Sequence, residues 1–260
     1  MTELRGRSVA LAGCVGLVAL LSRPAHAHDI WATVDRAPDG TQMIADIGFG
    51  DRDDRAMPDP VRIVELDVIG PSGTTDLRRP LKATARQGQP VLETRAFPIS
   101  PGSIIAIIYD NGFWAKKPGD KNPTNTSPLL APDGTDLHWT VKYSKMLYGQ
   151  NAYKKVLNQR LEITALKDPF TLNKGDMLPV QVAYEGKPVA GIEVNYGDGV
   201  TPVPDAKLPR VKTGTDGIAN VPLDRLGPYL IVVDANEPPA DKRFATYDHV
   251  FSSISFDLAK

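Results

Sequence analysis

Three histidines beyond the first 27 residues hold this chain's most specific chemistry: His28, His138 and His249. His28 stands out because of what precedes it. Residues 8–22 are an apolar run, Arg5 and Arg7 lie ahead of it, and Ala25-His26-Ala27 supplies a small-x-small cleavage site. This is the layout of a secretory signal peptide over 1–27. Cleavage after Ala27 would make His28 the first residue, with a free α-amine and an imidazole on one residue. The amine and Nδ1 can close a six-membered chelate ring around a metal ion. Both must be unprotonated, and an α-amine has a pKa of about 7.7–8.0, so binding would strengthen as pH rises across neutrality. Nitrogen donors suit Ni, Co, Cu or Zn rather than Ca or Mg.

His138 or His249 would add a third nitrogen if the fold brought either beside His28. Asp29 and Asp248 could add an oxygen or orient an imidazole from behind. Asp248 and His249 are neighbours, and neighbours on a strand point to opposite faces. A histidine at position 1 is also not the amine–amide–imidazole motif, which needs histidine at position 3. Plainer readings stand beside these: a frayed chain end for His28, a loop residue next to a core Trp139 for His138, a half-buried strand residue for His249. Asp51, Asp53, Asp54 and Asp59 alternate with Arg52 and Arg55 without EF-hand spacing. They read as a solvated, self-neutralising loop. Trp114 with Lys116 and Lys117 could meet a partner or an anionic ligand, or be ordinary loop residues.

Catalysis finds little footing. The chain has no His-Glu-x-x-His, Gly-x-Ser-x-Gly or phosphate loop. Its one cysteine, Cys14, lies inside the apolar run. Leu11-Ala12-Gly13-Cys14 resembles a lipoprotein box, but the long apolar stretch follows it instead of preceding it, which favours cleavage at Ala27. A processed chain without cysteine must be held by burial and hydrogen bonding. The formal charge of −1 becomes about −3 without the first 27 residues, and no basic stripe suggests nucleic acid. No second apolar stretch approaches membrane-spanning length.

The elements that must position the histidines look β-rich. The 23 prolines and 22 glycines punctuate short apolar runs, which favours many strands and turns. Strands are expected at 42–49, 61–69, 91–97, 103–109 and 160–166. Both faces of Ile104-Ile105-Ala106-Ile107-Ile108 are apolar, as in a central strand. Residues 111–136 read as a long surface loop, and 138–157 as a stretch with a short helix. A boundary near Lys167-Asp168-Pro169 divides 28–166 from 167–260. Further strands are expected at 177–184, 189–196, 218–223, 229–234 and 247–258. The spacing predicts an all-β chain of two β-sandwich domains.

Gly186-Lys187-Pro188-Val189-Ala190-Gly191, Thr215-Asp216-Gly217 and Gly227-Pro228-Tyr229 resemble the transthyretin-like, carboxypeptidase-regulatory β-sandwich, a likeness of fold and not of function. The whole processed chain is similar to a bacterial periplasmic family associated with nickel or cobalt uptake (NikM-like). The matching pieces are Ala27-His28-Asp29-Ile30-Trp31, Gly112-Phe113-Trp114-Ala115-Lys116-Lys117, Trp139-Thr140-Val141-Lys142-Tyr143-Ser144-Lys145, and Asp168-Pro169-Phe170 with Gly175-Asp176. The resemblance implies two β-rich parts, a periplasmic place, and a membrane metal transporter or outer-membrane receptor as partner. The expected function is therefore non-enzymatic binding of a transition metal or metal chelate in support of uptake. The competing expectation is an interaction module whose 111–136 loop contacts a protein or glycan.

Overall fold

The computed structural model describes residues 28–259. The expected signal peptide, its cleavage site and Cys14 lie outside the described residues. In chain order the strands are β1 (Asp29–Arg36), β2 (Met43–Gly50), β3 (Arg55–Ala56), β4 (Ile63–Gly70), β5 (Gly73–Asp76), β6 (Leu81–Arg86), β7 (Gln89–Thr94), β8 (Ser103–Lys116) and β9 (Thr124–Asn125). They continue with β10 (Thr135–Tyr148), β11 (Leu161–Ala165), β12 (Met177–Tyr184), β13 (Lys187–Pro188), β14 (Glu193–Gly197), β15 (Arg210–Lys212), β16 (Ile218–Pro222), β17 (Gly227–Glu237) and β18 (Tyr247–Leu258). Helical structure among the described residues is limited to short 3-10 turns. The all-β expectation holds.

One long sheet forms the middle layer, in the order β15-β14-β17-β18-β10-β8-β4-β5. Strands from both sides of residue 167 share it, and β18 lies between β17 and β10, parallel to β10. A small sheet of β11, β12, β13 and β16 covers one face, and a sheet ordered β1-β2-β7-β6 covers the other. Strand β8 shows why the middle layer needs both covers. Ile104 joins the core that includes Leu161, Val180 and Ile231, whereas Ile105 and Ile107 join the core that includes Ile47, Leu66 and Leu92. A strand that feeds two cores must be apolar on both sides.

The helix expected within 138–157 is replaced by β10, followed only by a 3-10 turn over Ala152–Lys154. Val141, Tyr143 and Leu147 alternate onto one core, and Met146 packs into the other. Buried Lys142, Ser144 and Lys145 break the apolar alternation and hide the strand from a hydropathy reading. The surface loop expected from residue 111 also begins later. Strand β8 runs on to Lys116 and pairs there with β9. Asn125 Nδ2 ties the crossing by donating to the carbonyls of Asn111 and Phe113, at 3.0 and 2.9 Å.

Strand β1 is an edge strand that lies against the face of β18. Ser253 Oγ donates to the Ile30 carbonyl at 2.7 Å, and Ser255 Oγ to the Ala32 carbonyl at 2.9 Å. Buried serines on a core-facing strand thus satisfy carbonyls that β2 does not reach. Ser144 Oγ lies 2.9 Å from Ser253 Oγ and extends the contact to β10.

Candidate metal centre

His138 and His249 come together through the parallel pairing of β10 and β18. The register sets His138 opposite Tyr247 and Thr140 opposite His249, so both imidazoles rise from the same face, two residues apart along the ladder. Their ring centroids are 6.2 Å apart at an interplanar angle of 69°. Both side chains are buried.

Each ring has one nitrogen held from behind. His138 Nδ1 is 2.9 Å from the Asp136 carbonyl oxygen. A carbonyl only accepts, so Nδ1 carries the proton and Nε2 presents a lone pair. Burial lowers the His138 pKa, against the opposing pull of its Asp136 hydrogen bond, which keeps the ring neutral near pH 7. His249 Nε2 is 3.0 Å from Asp234 Oδ2. The carboxylate accepts there, and in the neutral ring Nδ1 presents the lone pair. A carboxylate or carbonyl behind each imidazole is the arrangement that fixes tautomer and raises basicity in metal-ligating histidines.

Aromatic rings wall the pair. Tyr247 stacks on His138 at 4.9 Å, with its hydroxyl 2.6 Å from Asp136 Oδ1, and Phe251 lies 4.2 Å from His249. Trp114 stacks on the other side of His138 at 6.5 Å. Its indole nitrogen donates to the Asn111 carbonyl at 3.2 Å.

His28 enters at the start of β1, half-buried, with its ring edge-on to Phe49 at 5.2 Å. The serine contacts show that β1 and β18 run in the same direction, Ile30 beside Ser253 and Ala32 beside Ser255. Two residues back, the same step sets His28 level with Phe251, and among the described residues the ring contact of His28 is with Phe49, not with His138 or His249.

The two aspartates are placed differently. Asp29 is buried in an ion pair with buried Arg52, and Arg52 NH1 is also 3.7 Å from Asp205 Oδ1. Burial pushes the Asp29 pKa up while Arg52 and Lys142 pull it down. Asp29 thereby anchors the start of β1. Asp248 points to the opposite face from His249. There it accepts from Arg160 NH1 at 2.8 Å and from the Ala240 amide at 2.9 Å. Among the described residues, no group of three or more His, Cys, Asp or Glu side chains is gathered to hold an ion.

The solvated loop expected at 51–59 is only half solvated. Asp53, Asp54 and Asp59 are exposed, but Asp51 and Arg52 are buried, because Arg52 turns in to meet Asp29. The sequence also gives no hint of Lys142 or Asp234. Lys142 Nζ sits 3.4 Å from the Phe251 ring centre, fully buried, its pKa lowered by desolvation against the attraction of Asp29, Asp234 and Asp51. A lysine within a strand ordinarily reads as a solvent-facing position.

The chain belongs to the DUF4198 family. The family's model, described as a domain of unknown function, matches residues 25–237. His28, His138 and Asp234 lie inside the matched stretch and His249 lies beyond it. No curated protein matches the chain.

Proposed function

We propose that this DUF4198 protein is a periplasmic carrier that binds a transition-metal ion, nickel or cobalt above all, or a chelate of one, and presents it to a membrane transporter or outer-membrane receptor. One observation supports this reading best: buried His138 and His249 have ring centres 6.2 Å apart, and one nitrogen of each ring is backed by an oxygen, of the Asp136 carbonyl and of Asp234 respectively. With metal–nitrogen bonds of about 2.1 Å, two imidazoles on one ion have ring centres at most about 6.5 Å apart. The separation of 6.2 Å therefore fits two ligands at a wide angle. Export and cleavage at Ala27 would add the His28 amine and Nδ1, giving a set of nitrogen donors. Such a set prefers Cu over Ni and Co by intrinsic affinity, so selection in the cell would rest on geometry and supply.

The reading is of a binding protein. It is tested by titrating Ni, Co, Cu and Zn into protein that begins at His28, beside His138→Ala and His249→Ala. The reading expects one ion per chain in the parent and at least a tenfold loss in each variant. Parent protein that takes up none of the four ions would overturn it.

A further inference from the structure

The outer face of the sheet that contains β1, β2 and β7 carries a groove of about 420 Å³, away from the histidines. We propose that this groove binds a neutral polyhydroxylated ligand, a saccharide of one or two rings. The volume lies in the range of small-ligand sites, about 300–1,000 Å³.

The groove is built and not incidental. Trp31 lies across Gly48, where a Cβ would come within 2.5 Å of the indole, so only glycine lets the ring lie this low. The Arg55 guanidinium covers the indole at 4.9 Å and donates to the Gly199 carbonyl, which fixes the 199–202 loop as one wall. Register places Thr33 opposite Asp46 and Trp31 opposite Gly48, so these side chains share one face. Arg86 closes the far end, bonded to Asp46 Oδ2 at 2.7 Å and Glu93 at 2.8 Å.

The chemistry of the lining selects the ligand. Two arginines, Arg55 and Arg86, are balanced by two aspartates, Asp35 and Asp46. An anion would meet the carboxylates and a cation the guanidinium groups, so a neutral ligand is favoured. Hydrogen-bonding capacity is left over in both senses. Thr33 offers a hydroxyl, both donor and acceptor, from the groove lining. Gln87 and Gln89 add amides at the rim, each both donor and acceptor. A hydroxyl group both donates and accepts, and adjacent ring hydroxyls match the paired atoms of amide and guanidinium groups.

The test is an NMR titration of the full processed chain. The probes are glucose, galactose, mannose, N-acetylglucosamine and disaccharides of each. At least one should shift the Trp31 indole and Gln89 side-chain signals saturably while leaving the His138 and His249 rings unmoved. Gln89→Ala should weaken that saccharide on the order of fivefold, the equivalent of one hydrogen bond. Thr33→Arg, which fills the groove from its centre, should abolish binding, and melting curves show that each variant is folded. No saturable shift across the panel, or binding unchanged in both folded variants, overturns the proposal. Because no metal is present, failure here leaves the metal reading untouched.

Discussion

His138 and His249 are buried on one face of two adjacent parallel strands with their ring centres 6.2 Å apart, and Asp234 holds the second of them by Nε2 at 3.0 Å. The carboxylate sets which nitrogen of His249 carries the proton. Asp234→Ala should therefore weaken metal binding about 10- to 100-fold, the usual effect of removing a partner behind a ligand. Asp234→Asn, which keeps an acceptor oxygen but not its charge, should fall between. Calorimetric titration of the three proteins with nickel reads the order, and equal affinities would mean that His249 is not a ligand.

Ser253 and Ser255 hold the edge of β1, the strand that follows His28. Ser253→Ala would leave the Ile30 carbonyl buried without its donor, a loss of about 1–3 kcal/mol. Urea denaturation should show that loss. Amide exchange should show it concentrated along β1 instead of spread over the cores. Uniform exchange across β1 and β8 would contradict the edge-holding role.

Lys145 and Glu162 form a buried pair at 2.6 Å on the opposite side of the middle sheet, with Lys145 also donating to the Lys155 carbonyl at 3.0 Å. Glu162→Gln should cost about 3–5 kcal/mol, because it strands a buried ammonium. Lys145→Met with Glu162→Leu should cost far less than either change alone. Burial also holds the Lys145 pKa below its usual 10.5, with Glu162 pulling the other way. The folded chain thus binds this proton less tightly than the unfolded chain. The stability gained is fully present above 10.5 and is lost as pH falls through the lowered value. Stability measured from pH 8 to 10.5 should rise through this group in the parent, and the double variant should lack that component.

Much of the fold could be read from the chain. The punctuated apolar runs gave the β class, and the double-sided pattern of 104–108 gave a central strand, because both features depend on local composition. Strand β10 is hidden from a sequence reading because its buried faces hold Lys142, Ser144 and Lys145, whose partners Asp29, Ser253 and Glu162 lie on other strands. Arg52 is hidden for the same reason: its alternation with aspartates looks solvated until Asp29 is folded against it. At the site, the three histidines were legible by type. The pairing of β10 with β18, which joins His138 to His249, was not, and neither was Asp234, since no local pattern encodes a parallel partner so far along the chain.

The central claim concerns the amine that cleavage would expose at His28. Nickel, cobalt, copper and zinc affinities should be compared for protein beginning at His28 and for the same protein with its α-amine acetylated. Acetylation turns the amine into an amide and leaves every side chain in place. A chelating His28 predicts a loss on the order of a hundredfold, at the upper end of what loss of an outer partner brings, and an affinity that climbs through pH 7–8 only in the unacetylated protein. Equal affinities for the two proteins would contradict it.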